Sequence, residues 1–378
     1  MRMNIQMVDL QRQYTRLKNE MDEAVRNVMA EGIFINGPQV KTFCNHLAGY
    51  LNTPHVIPCG NGTDAIRLAL RVLEIKPGEE VILPAFTYIA AVEMVVSLGL
   101  TPILIDVDPE TYNINAELLE TAISRRTRAI IVVHLFGQSC DMEPVMKIAK
   151  KYKIAVIEDN AQSLGADYTF PDGSTQKAGT IAQIGTTSFF PTKPLACYGD
   201  GGAVITSDND LAEGIFMLAN HGQSARYHHK IVGCNSRLDT LQAAILDVKL
   251  KYMDKFTEAR RRVAQLYDQT LRPLNEIRIP GKASFSTHVH HQYTIRVKEG
   301  RRDALQTYLK ENQIPSAVYY PLPVHEQEAY RWIARISGDA SAAAQLSKEV
   351  LSLPIHTEMT DDEQHYIIET IINFFRKV

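Results

Sequence analysis

Tryptophan occurs once in this chain of 378 residues, and cysteine five times. The cysteines (Cys44, Cys59, Cys140, Cys197 and Cys234) are scattered, odd in number and never spaced C-x-x-C. That argues against a disulfide framework or a zinc site and suits a reducing cytoplasm. Long apolar runs are missing too. Ala129–Val133 is typical, far below the ~20 residues of a membrane span, and Met1–Gln6 lacks the apolar core of a signal peptide. Neither sign of charge dominates. A formal net charge of −3 gives no electrostatic case for nucleic acid, and no lysine–arginine run suggests a membrane surface. Gly199-Asp200-Gly201-Gly202 lacks the G-x-G-x-x-G spacing of a dinucleotide loop. His288-Val289-His290-His291 offers one same-face pair and no carboxylate close in sequence, so no metal is expected there.

What is present is an ordinary folded composition, 45% hydrophobic and 22% charged. The length predicts two domains, set at residues 1–250 and 251–378. Helical spacing covers Leu10–Ala30 and Val40–Leu51. Seven short apolar runs then follow: His55–Cys59, Val81–Pro84, Pro102–Val107, Ala129–Leu135, Ala155–Glu158, Ile184–Phe190 and Ala203–Ser207. Helical patterns separate most of them, among them Ala65–Leu73, Ala90–Leu98, Ala116–Ser124 and Met142–Tyr152. Continuous apolar strands have both faces covered, which predicts a mainly parallel, seven-stranded α/β sheet. Beyond Leu211 the texture shifts to long helices (Leu211–Asn220, Leu238–Asp268). It then mixes a strand at Gln292–Val297 with helices at Arg301–Asn312, Asp339–Leu351 and Asp361–Arg376, as in a smaller α+β domain.

In such sheets, functional groups gather after the carboxyl ends of the strands, and the unusual residues of this chain lie there. Asn61-Gly62-Thr63-Asp64 can bind an anion at a helix N-terminus, although the same residues make an ordinary cap. Asp64 suits the helix dipole but would repel a phosphate unless its side chain points away. Tyr88 could lie flat on a planar heterocycle, while core packing is the commoner fate of such a ring. Glu158-Asp159 ends a strand, and neither carboxylate is cheap to bury alone. Asp159 facing a pyridine nitrogen would keep it protonated, and Gln162 could donate to a ring oxygen. Ser188 leads into Pro191-Thr192-Lys193-Pro194, where two prolines exclude helix interior. Lys193 taken alone is a plain surface lysine; on that loop it is also where a nucleophilic amine would stand. Together these residues describe a site for pyridoxal phosphate.

The order Asn61–Ala65, Pro84–Tyr88, Glu158–Gln162, Ser188–Lys193, Gly199–Ala203 and Gly233–Asp239 resembles the DegT/DnrJ/EryC1/StrS family of nucleotide-sugar aminotransferases along nearly the whole chain. The resemblance implies the type I (aspartate aminotransferase) fold and a homodimer with shared active sites. It implies Lys193 as the Schiff-base lysine and Asp159 as the partner of the ring nitrogen. Gln162 would meet the ring hydroxyl, Tyr88 the ring face, and Gly62, Thr63, Asp64 and Ser188 the phosphate end, joined by Asn235 from the neighbouring subunit. A dehydratase branch carries histidine at the lysine position, so Lys193 favours transamination from L-glutamate. His221–Gln223, Arg226–His229, Asn235–Arg237 and Pro191–Gly199 resemble more narrowly the enzymes that aminate a UDP-linked 3-keto-N-acetylglucosaminuronate for surface polysaccharide. Arg237 is the residue type for a sugar carboxylate; His228, His229, Tyr319 and Tyr320 are further substrate candidates. Tyr319 stands where those relatives often have histidine, which leaves open another UDP- or dTDP-linked 3- or 4-keto sugar. A dehydratase and a non-catalytic, cofactor-holding regulator are the remaining alternatives.

Overall fold

Asp9 and Gly32 bracket the first helix of the computed structural model, which describes residues 5–376. Asp9 accepts from the Arg12 amide, and Gly32 takes the left-handed conformation (φ 70°) that ends a helix without a Cβ clash. Residues 1–4 of the Met1–Gln6 segment lie outside the described part.

Helices α1 (Leu10–Glu31) and α2 (Pro38–Leu51) lead into an alternation: β1 (His55–Cys59), α3 (Gly62–Val72), β2 (Glu80–Pro84), α4 (Ala90–Ser97), β3 (Thr101–Ile105), α5 (Leu119–Ala122), β4 (Thr127–Val133), α6 (Met142–Tyr152) and β5 (Ala155–Asp159). A hairpin of β6 (Asp167–Thr169) and β7 (Thr175–Lys177) precedes β8 (Ile184–Ser188), β9 (Gly202–Thr206) and α7 (Asn209–Ala219). A second hairpin, β10 (Gln223–Ala225) and β11 (His228–His229), precedes α8 (Thr240–Leu250) and α9 (Met253–Leu271). The chain closes with β12 (Ile277–Arg278), β13 (Tyr293–Val297), α10 (Arg302–Glu311), β14 (Arg335–Ser337), α11 (Ser341–Glu349), β15 (Val350–Leu353) and α12 (Asp361–Arg376).

The main sheet runs β1-β9-β8-β5-β4-β2-β3-β14. It has eight strands, not the expected seven. The eighth, β14, is a three-residue segment from the last third of the chain that pairs parallel with β3, too short to show any periodicity. Only β9 runs against its neighbours. The carboxyl ends of β1, β8, β5, β4, β2 and β3 therefore share one rim, and β9 starts there at Gly202. A smaller antiparallel sheet, β12-β13-β15, packs with α9, α10 and α12 around its own core, including Tyr267, Tyr293, Ile295 and Leu353.

Three helical expectations are corrected. Leu238–Asp268 is two helices, broken between Leu250 and Met253. Ala116–Ser124 is a 3-10 turn followed by the single turn of α5. Residues 350 and 351, expected in helix, open β15, where pairing with Arg296 and Ile295 outweighs the local pattern.

Gly185 on β8 pairs with Glu158 and Ile205, and a Cβ there would stand 1.9 Å from the Gly179 carbonyl oxygen. Backbone cannot yield as a flexible side chain does. Gly185→Ala should therefore cost about 3 kcal/mol or more, read as a lower urea midpoint. An unchanged midpoint would show that the Gly179 turn does not pack on β8.

Candidate active site

Two adjacent carboxylates end β5, and the strand's pleat turns them apart. Glu158 is fully buried. Its oxygens accept from the amides of Gly179 (2.7 Å), Ile181 (2.7 Å) and Ala182 (2.6 Å), and from His134 Nε2 (2.8 Å). The Cys140 amide donates to His134 Nδ1 at 3.0 Å. The carboxylate favours a charged imidazole, but a proton on Nδ1 would face that amide hydrogen. His134 is therefore neutral, with its proton on Nε2. His134 also donates its amide to the Asp159 carbonyl (3.0 Å), tying β4 to β5 at the rim.

Asp159 faces the other way, 9% exposed, with Oδ1 accepting from the Ala161 amide at 3.1 Å. Burial pushes its carboxyl above the ordinary aspartate value, while the Ala161 amide and Lys193 pull it back. Lys193 is half-buried in the loop after β8, in a turn closed by its amide to the Phe190 carbonyl (2.8 Å). Loss of solvent lowers its amine to about 8, against the opposing pull of Asp159. An amine in that range supplies both a free nucleophile and a proton carrier near neutral pH. The loop is stiff. Phe189 is fully buried against Phe43, and the Cys197 amide returns to the Phe189 carbonyl at 2.8 Å.

The anion cradle is a matter of close approach. Asn61 caps α3, accepting from the Asp64 amide at 2.8 Å. A Cβ on Gly62 would lie 2.6 Å from Ser188 Cβ, and one on Gly202 would lie 2.4 Å from the Asn61 carbonyl carbon. Only glycines let the α3 N-terminus press against the end of β8, so Gly62, in the first turn of α3, stands beside the Ser188 hydroxyl. Asp64, expected at the cofactor site, turns its side chain to protein partners. Its oxygens accept from Ser236 (2.6 Å) and pair with Arg67 (2.8 Å), which removes the repulsion. Ser236 also accepts from the Gly60 amide (2.9 Å), bracing the segment of Asn235 and Arg237 against the turn.

Gln162 is buried, its Oε1 accepting from the Phe136 amide at 2.7 Å and its Nε2 donating to the Tyr320 hydroxyl at 3.2 Å. Tyr320 in turn lies beside Tyr88, which is 56% exposed and free to cover a ligand ring. Lys193, Asp159, Gln162, Tyr88 and Tyr320 thus come together, with the Gly62–Ser188 contact along the same rim. Tyr319 packs beside Tyr320. Asn235 is exposed and Arg237 half-buried. His228 and His229 lie exposed on β11, where His229 Nδ1 meets the His221 carbonyl (2.8 Å). Among the described residues no hydrogen bond or ion pair joins that pair to the lysine cluster. His288 and His290 stack on each other, ring centroids 3.9 Å apart, and no group of three or more potential metal ligands occurs among the described residues. The sequence reading missed the His134–Glu158 pair and the Phe136 amide. The carboxylate pair signalled that a partner must exist but not where.

This rim, with its single stiff lysine, belongs to one class of protein. The chain is a member of the DegT/DnrJ/EryC1/StrS aminotransferase family, whose model matches residues 15–372. It is 42% identical over 376 residues to a pleiotropic regulatory protein of Geobacillus stearothermophilus, covering 99% of each chain. It is also 42% identical to the UDP-2-acetamido-2-deoxy-3-oxo-D-glucuronate aminotransferase of Pseudomonas aeruginosa, covering 93% of this chain and 95% of that one. The solved structure of DesV from S. venezuelae, in complex with a ketimine intermediate, superposes with a TM-score of 0.95 at 36% identity over 99% of both chains. That of NtdA from Bacillus subtilis, with bound cofactor PMP, gives 0.88 at 29% identity, covering 98% of this chain and 83% of that one. The architecture is the type I aminotransferase fold.

The native Lys193 value, about 8, lies below the 10.5 of an ordinary lysine. Between those values the unfolded chain binds more protons, so the ligand-free protein gains stability as pH rises through that window. Lys193→Met removes the buried charge. It should stabilise the ligand-free protein at pH 7 by at most roughly 3 kcal/mol, a gain that vanishes by pH 10.5. Denaturant midpoints at the two pH values check this, and equal gains at both would refute a charge penalty.

Proposed function

We propose that this aminotransferase uses pyridoxal phosphate to move an amino group from L-glutamate to the keto group of a nucleotide-linked sugar. The sugar we assign is UDP-2-acetamido-2-deoxy-3-oxo-glucuronate, in surface polysaccharide (O-antigen, lipopolysaccharide) biosynthesis. The observation that carries the reading is a lysine amine lowered to about 8 opposite a buried carboxylate, beside a cradle that only glycine permits. These residues fit the cofactor. Gly62, Thr63 and Ser188 would hold its phosphate, Asp159 its ring nitrogen, Gln162 its ring oxygen and Tyr88 its ring face.

When bound, that ring supplies an electron sink for the carbon losing its proton. Lys193 does the rest as general base and acid, since its amine accepts a proton near pH 8 and returns it nearby. Burial raises the Asp159 carboxyl, the Ala161 amide and Lys193 pull it back toward charge, and in its charged form it would keep a ring nitrogen protonated. Residues 1–250 would form the cofactor-binding domain and 251–378 the smaller one. The protein would work as a cytoplasmic homodimer, with Asn235 reaching the phosphate of the other subunit's cofactor. On the substrate side we place Arg237 at the uronate carboxylate, with His228, His229, Tyr319 and Tyr320 around the sugar and diphosphate. The relative named for the uronate at 42% identity supports this choice.

The regulatory name of another relative keeps a second reading in play, a cofactor-holding regulator. Glutamate separates the two. Added to the reconstituted protein it should bleach the cofactor's visible absorbance, and UDP-linked 3-amino-uronates, unlike dTDP-amino sugars, should bleach it too. A spectrum unmoved by glutamate would reject transamination. Equal response to a UDP-amino sugar lacking the carboxylate would reject the uronate. Lys193→Ala should lose turnover while still binding cofactor weakly, and full turnover in that variant would remove Lys193 from the chemistry. Arg237→Gln should raise KM for the uronate at least tenfold with a smaller change in kcat, the pattern of a lost charged contact to the substrate.

A further inference from the structure

Gln162 is held at both ends of its side-chain amide, and the two holds come from different parts of the chain. The Phe136 amide hydrogen points at one end at 2.7 Å, so that end must be the carbonyl oxygen and the other the NH2 group. One of the two NH2 hydrogens goes to the Tyr320 hydroxyl at 3.2 Å. Spending one hydrogen on Tyr320 fixes the direction of the second, because the amide is planar. Tyr320 accepts in this contact, so its own phenolic hydrogen is not consumed by Gln162. Burial and the neighbouring Asp159 charge hold that phenol above its ordinary value, so it stays protonated wherever the enzyme works.

The tyrosine is itself fixed. Its ring meets Phe86 edge-on at 5.8 Å and lies 6.2 Å from Tyr88 and 6.0 Å from Tyr319. Three residues before it, Ala317 exchanges backbone hydrogen bonds with Ser352 of β15 (3.1 and 2.7 Å). The Phe136 side of the clamp is also tied to the C-terminal part. Val289 donates to the Gly137 carbonyl (2.8 Å) and Gln292 to the Phe136 carbonyl (3.1 Å), just before β13. Both holds on Gln162 therefore lead to the small β12-β13-β15 sheet.

We propose that Tyr320 is a positioning residue: its hydroxyl sets the Gln162 amide so that the remaining N–H is directed at an anionic ring oxygen of the bound cofactor. The proposal rests on the pyridoxal phosphate reading above. Without the hydroxyl, the amide keeps its oxygen on Phe136 but regains rotational freedom at the nitrogen end.

Tyr320→Phe removes one oxygen and leaves the ring packing, and the test has two parts. In ligand-free protein selectively labelled with 15N-glutamine, one side-chain amide should be protected from hydrogen exchange and should exchange about tenfold faster in Tyr320→Phe. Unchanged exchange would overturn the clamp, whatever the cofactor. In the reconstituted protein, a donor to the ring oxygen favours the deprotonated chromophore, in which that oxygen has no internal partner. Tyr320→Phe should therefore move the pH midpoint of the visible absorbance upward and release cofactor about five- to tenfold faster. Added to Gln162→Ala, the same change should do nothing further. An unmoved midpoint, or shifts that add, would overturn the proposal. A wild-type protein that takes up no pyridoxal phosphate would instead reject the functional reading, leaving the exchange experiment to judge the clamp.

Discussion

A carboxylate with no access to water must collect donors or lose its charge, and Glu158 shows what that requirement organises. Three backbone amides from the Gly179–Ala182 turn and one imidazole converge on it. Each comes from a segment that must be in place: the turn before β8, and His134 at the end of β4. The carboxylate thus ties the carboxyl ends of β4 and β5 to the turn that leads into β8. Removing a partner from such a group leaves a buried charge uncompensated, a cost of about 3–5 kcal/mol, so the arrangement holds as a whole. Because side chains alternate along a strand, fixing Glu158 on one face aims Asp159 at the other.

The cleft inherits that rigidity, and its electrostatics depend on it. Lys193 and Asp159 are each shifted by desolvation toward the neutral form, and each pulls the other back toward charge. Two opposite charges free to approach would form a stable ion pair, and the amine would cease to be a nucleophile. No ion pair joins them in the structure. Phe189 buried against Phe43 anchors the lysine loop, and the Ala161 amide holds the aspartate. The separation leaves the lysine able to hold or release its proton near neutral pH, and preorganisation of this kind is what general acid–base chemistry uses.

Much of this was legible in the residues, and the exceptions share a cause. The strand–helix alternation could be read because each strand of the buried sheet is a continuous apolar run. The rim could be read because chemistry-bearing residues repeatedly follow those runs. β14 could not: three residues carry no period, and its strand character comes from the waiting edge of β3. The break between α8 and α9 was hidden because both halves keep helical spacing. At the site, the turn shows that the Asp64 side chain must point away from an anion, but its direction is set by Ser236, 172 residues away. Likewise Tyr320 reaches Gln162 across 158 residues. Local pattern reports what a residue is; only the fold reports where its side chain points.

The same distinction bears on how relatives so similar in sequence carry different names. The groups around Lys193 and Asp159 are buried and mutually satisfied, so most substitutions there would strand a polar atom, and drift is costly. The groups assigned to the sugar are of another kind. His228 and His229 are exposed, and Arg237, Tyr319 and Tyr320 only half-covered. Substitution at such positions costs little stability, typically within about 0.5 kcal/mol. A substitution at half-covered position 319 can thus be accepted while Asp159, Lys193 and the Gly62 cradle remain undisturbed. Specificity in this architecture can drift on its surface while the chemistry stays locked in its interior.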